Sequence, residues 1–80
     1  MLIYFEFEEK RRKADVNWHK NGRDAVVHIT DPDLARNLPT DLNYEIEDDN
    51  KIVFTIEDRD NKRLLELQNV LKRRLQELVR

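Results

Sequence analysis

Over the first thirty residues, apolar and polar positions alternate in three separate runs. Ile3, Phe5 and Phe7 alternate with Leu2, Tyr4, Glu6 and Glu8, and the pattern returns in Ala14, Val16 and Trp18 and again in Ala25, Val27 and Ile29. A period of two marks strands with one buried face, so three strands are expected, the first over about residues 2–9. Asn21-Gly22 separates the second and third runs and is the strongest short hairpin signal, because both central residues of a type I′ turn need positive φ. A turn there sets Trp18 opposite Ala25, Val16 opposite Val27 and Ala14 opposite Ile29. A turn centred on Lys10-Arg11 aligns Phe7 with Ala14, Phe5 with Val16 and Ile3 with Trp18, with Glu8 beside Lys13 and Glu9 beside Arg12. Both turns yield one apolar face, and a slip of one residue would invert a whole strand.

Alternation resumes in Leu42, Tyr44 and Ile46 and in Ile52, Phe54 and Ile56, on either side of Asp48-Asp49-Asn50. A three-residue loop there pairs Ile46 with Ile52, Tyr44 with Phe54 and Leu42 with Ile56, and Asn50 suits the left-handed position of such loops. The chain is thus read as two hairpin units, roughly 2–30 and 41–57. Between them, Asp31 as a cap, Pro32 at the first helical position and Pro39 as a stop predict a short helical turn at 32–38. Leu64, Leu67, Leu71, Leu75 and Leu78 then recur at helical spacing with Val79 beside them. They predict a long C-terminal helix over 60–80, started by Asp58 or Asp60, with Lys62, Glu66, Asn69, Arg73 and Glu77 on its other face. The leucine stripe is the natural cover for the apolar sheet face. The fold expected is a single small α+β domain over 1–80, an antiparallel β-meander of about five strands with the long helix packed on one face.

In this register Leu2, Tyr4, Val26 and Val53 lie on the sheet face turned away from the helix. Tyr4, Asn17 and Val26 would share a row with Leu2 nearby, a patch able to pair two subunits. Eighty residues bury a thin core, and association is a common source of added stability for domains of this size. Charge is segregated: residues 31–60 carry ten acidic and three basic side chains, residues 61–80 two acidic and six basic. The two segments either face each other within the monomer or present opposite poles to a partner.

Composition narrows the chemistry. The chain has no cysteine and no serine, and its only glycine is Gly22, which leaves no thiolate site, no serine nucleophile and no phosphate-binding glycine loop. No cofactor is implied. No apolar run is long enough to span a bilayer, and the N-terminus lacks the form of a signal peptide, so a cytoplasmic location is expected. The register also sets Glu6, Asp15 and His28 in one row, and Leu2, His19 and Asp24 in another. A histidine with two carboxylates is a donor set for a divalent cation, but exposed cross-strand ion pairs are the preferred reading of the same residues, and no metal site is expected.

The basic run Lys10-Arg11-Arg12-Lys13 is read as a hairpin tip that, with Arg73 and Arg74 on the basic helix, could contact nucleic-acid phosphates. Tyr4 is the one aromatic expected on the outer face for base stacking. A meander followed by one long C-terminal helix also resembles, in topology, the β-meander-plus-helix repeat of the PUR nucleic-acid-binding domains. No functional residue pattern of that family maps onto this chain, and the short helix between the hairpins departs from its plan. The reading is therefore a non-catalytic protein-interaction domain, self-associating through the outer sheet face or a sheet edge at Leu2, Tyr4, Val26 and Val53. The alternative is a weak nucleic-acid binder using Lys10, Arg11, Arg12, Lys13, Arg73 and Arg74.

Overall fold

A computed structural model describes residues 1–19, 23–55 and 60–78. The elements follow in the order β1 (Leu2–Phe7), β2 (Lys10–Trp18), β3 (Asp24–Ile29), α1 (Pro32–Asn37), β4 (Asp41–Ile46), β5 (Ile52–Phe54) and α2 (Lys62–Leu78). The five strands form one antiparallel sheet in sequence order, so the two hairpin units join through β3 and β4, with Val27 opposite Leu42 and Ala25 opposite Tyr44. The Asn21-Gly22 turn, Ile56, Asp58, Val79 and Arg80 lie outside the described residues.

Two registers stand as the alternation requires. β2 and β3 set Trp18 opposite Ala25, Val16 opposite Val27 and Ala14 opposite Ile29, and β4 and β5 set Tyr44 opposite Phe54 and Ile46 opposite Ile52. Asn50 takes φ 63°, the left-handed residue that closes this loop. β1 and β2 depart from expectation: Ile3 faces Ala14, Phe5 faces Arg12 and Phe7 faces Lys10. The turn is therefore Glu8-Glu9, at φ 55° and 62°, and Lys10-Arg11 belongs to a strand. The offset is even, so Ile3, Phe5 and Phe7 still point into the core while their cross-strand neighbours change.

Asp31 caps α1 by accepting from the backbone N–H groups of Asp33 and Leu34, and Leu34 and Leu38 enter the core. Asn61 caps α2, accepting from Leu64 N–H at 3.1 Å, where Asp58 or Asp60 was expected. Leu64, Leu67, Leu71 and Leu75 are buried on the sheet, whereas Leu78 is exposed at the end of the stripe. α2 contacts both edge strands, β1 and β5. Arg63 reaches Glu8 at one end of β1 and Arg74 reaches Tyr4 further back, so the helix runs antiparallel to β1. Among the described residues eighteen apolar side chains make up the buried core, and Trp18, read from the alternation as part of it, is 40% exposed at its end.

Candidate functional site

Hydrogen bonding along β1 determines which of its groups are available. Met1 and Val16 exchange backbone bonds in both directions, at 2.7 Å each. In an antiparallel ladder such pairs alternate, so the main chains of Ile3, Phe5 and Phe7 turn toward β2 and those of Leu2, Tyr4 and Glu6 turn toward the open edge. The Tyr4 carbonyl accepts from Arg74 Nε at 3.0 Å. At the opposite edge, Ile52 N–H donates to Gln76 Oε1 at 3.4 Å, and Gln76 Nε2 donates to the Asn50 carbonyl. Polar side chains of α2 thus engage main-chain groups at both sheet edges, one way a protein blunts an edge against indiscriminate pairing.

A groove runs between the open edge of β1 and α2. Its two parts, about 380 and 270 Å³, share Glu6, Val70 and Arg73 as walls. Leu2 and Tyr4 project beside it on the outer face, 53% and 39% exposed. The other candidates of the expected patch stand apart from them. Val26 lies between Asn17 and Asn43, Val53 pairs with Glu45, and both are half-buried. Tyr4 is level with Lys13 rather than Asn17, which removes the expected row. Apolar exposure gathers instead at the start of β1. Met1 and Leu78 are exposed as well, and Leu78 lies one helical turn beyond Arg74 toward Leu2.

The basic run is divided by the strand it occupies. Arg11 and Lys13 point to the outer face, and Arg11 lies over the Tyr4 ring at 4.5 Å, covering the surface on which a base would stack. Arg12 points inward and is 3% exposed. Its guanidinium donates to the Phe7 carbonyl, Asp31, Asp33 and Glu8 at 3.0–3.3 Å. A tip of four phosphate-facing cations is therefore replaced by three exposed residues, Lys10, Arg11 and Lys13, and the buried Arg12 with its network. Of the helical pair, Arg74 is engaged with Tyr4 and Glu77, and Arg73 lines the groove.

The network around Arg12 is the strongest electrostatic feature among the described residues. Arg63 binds Glu8 through two nitrogens, at 2.7 and 3.0 Å, tying the β1–β2 turn to the start of α2. Hydrogen bonding to Arg63 holds the Glu8 carboxyl below its ordinary pKa, and hydrogen bonding to Arg12 does the same for Asp33. Periodicity could not reveal this cluster, since its members come from four segments. The signal present was a charged residue, Arg12, at an inward parity position.

The expected row of Glu6, Asp15 and His28 does not form. Glu6 faces Arg11, Asp15 stands between Leu2 and His28, and Asp15 binds the Met1 amine at 2.9 Å. His28 Nδ1 lies 2.6 Å from Asp41 Oδ1 on the exposed face. His19 meets Asp24 through the backbone at 3.0 Å, away from Leu2. Among the described residues no group of three or more His, Asp or Glu could hold a metal ion. None of their helices is long and apolar enough to cross a membrane. Burial raises the Tyr44 hydroxyl to a pKa of about 12. Comparison with protein-family models, curated proteins and solved structures finds no match.

Proposed function

We propose that the chain is a non-catalytic protein-interaction domain that associates with itself through the β1 side of the sheet. The observation that carries this reading is the exposure of Leu2 and Tyr4 together on an edge strand whose alternate main-chain groups point outward beside a groove. Edge main chain supplies direction and register to an added partner, while exposed apolar side chains supply the free energy of burial. Val26 and Val53 are set among polar neighbours and contribute less to such a surface than their place in the alternation implied.

Substitution of Leu2 and Tyr4 together, Leu2→Lys with Tyr4→Glu, tests this reading by molar mass in solution and by circular dichroism. The expected result is a folded monomer where the wild type is a dimer. A folded variant with unchanged mass would contradict it. For the nucleic-acid alternative, the exposed residues Lys10, Arg11 and Lys13 are the surface to neutralise. Oligonucleotide binding lost in that variant, with the mass unchanged, would favour the alternative.

A further inference from the structure

The walls of the groove carry more information than its exposure. On α2 the groove is walled by Glu66, Arg73, Arg74 and Glu77, with Asn69 and Val70 midway between Glu66 and Arg73; Lys62 is exposed one turn before Glu66, outside the groove. If the helix is turned end for end about the point between Asn69 and Val70, the groove's Glu66 and Arg73 meet each other, Glu77 meets the flanking Lys62, and Arg74 meets Leu65. Each pairing occurs twice by symmetry. A surface complementary to itself is what a twofold dimer requires, because one patch must serve both subunits.

The strand beside the helix has a matching centre. Arg63 meets Glu8 and Arg74 meets Tyr4, so the stretch of helix between them stands level with Phe5 and Glu6, and Val70 borders the groove beside both residues. An antiparallel β1 pair centred on Phe5 sets Tyr4 of each copy opposite Glu6 of the other. Both residues have main-chain groups directed to the open edge, so this register forms hydrogen bonds where one shifted by a single residue would not.

We infer that the groove is filled by the same groove of a second copy. β1 pairs with β1 antiparallel about Phe5, and α2 lies along α2 antiparallel about Asn69 and Val70. This rests on the self-association reading and supplies its register. Arg74 releases the Tyr4 carbonyl in the dimer, and the backbone N–H of Glu6 from the second copy takes its place. The assembly is then one continuous ten-stranded sheet, and the protected edge of the monomer becomes its centre.

Charge reversal at two positions tests the register. Glu66→Arg alone and Arg73→Glu alone each place like charges opposite one another at two symmetric contacts. Each should weaken self-association about tenfold, the effect of two exposed pairs at roughly 0.7 kcal/mol each. Mixed in equal amounts, the two variants should associate again, since each then meets its opposite in the other chain. Dissociation constants from analytical ultracentrifugation, with circular dichroism confirming the fold, read both effects. Single variants as tightly associated as the wild type, or a mixture no tighter than its components, would overturn the groove arrangement and leave the self-association reading standing. A wild type that stays monomeric would remove both.

Discussion

Arg12 illustrates how one residue determines more than its local strand. An arginine at an inward position of an amphipathic strand would be costly unless its donors were satisfied, and here the Phe7 carbonyl and three carboxylates receive them. Removing it leaves Asp31, Asp33 and Glu8 facing one another without the cation that gathers them. Arg12→Ala should therefore lower stability by about 3 kcal/mol, measured by urea unfolding. A loss within the range of ordinary surface substitutions, roughly 0.5 kcal/mol, would mean that the network is incidental. The same group of residues gives the fold a dependence on acid. Glu8 and Asp33 have pKa values lowered by folding, so their contribution is complete above the ordinary carboxylate range and is lost as pH falls through it toward the lowered folded values. Melting temperature should fall on acidification below about pH 4, and Glu8→Gln should flatten that fall. Parallel curves for Glu8→Gln and wild type would place the acid sensitivity elsewhere.

The element that resisted sequence reasoning is the β1–β2 hairpin. Its turn places two consecutive glutamates at positive φ, where Asn-Gly or Asp-Gly is the usual choice. Nothing local in Glu8-Glu9 announces this. The turn is held by Arg12 four residues away and by Arg63 in the last helix, contacts that exist only once the chain has folded. Glu9→Gly should raise stability by up to about 1 kcal/mol, because glycine takes positive φ without a steric penalty. Unchanged or lowered stability would show that the Glu9 side chain offsets its backbone strain. The other hairpins were legible for the converse reason: Asn21-Gly22 and Asn50 carry their conformational preference in themselves, and their registers follow from it. α2 was legible because its leucines recur at helical spacing, and its misplaced cap, Asn61, lies next to Asp60 in the sequence. The candidate interface was only partly legible. Parity put Leu2, Tyr4, Val26 and Val53 on one face correctly, but the distances among them depend on register, and the β1 shift separates Tyr4 from the row of Val26.

As a whole molecule the protein buries its core between a five-stranded meander and one helix, and α2 also places polar side chains at both sheet edges. Leu2 and Tyr4 are exposed at the start of β1, next to a groove whose helical wall carries Glu66 and Arg73 on either side of its midpoint. A thin core and such an edge together favour a molecule completed by association, with the β1 main chain supplying the register and the α2 charges the alignment. The measurement that tests this most directly is molar mass by light scattering on a size-exclusion column, over a dilution series at low and high salt. The account predicts twice the 9.7 kDa chain mass, retained at high salt with a modestly raised dissociation constant. A mass of 9.7 kDa at every concentration and both salts would contradict it.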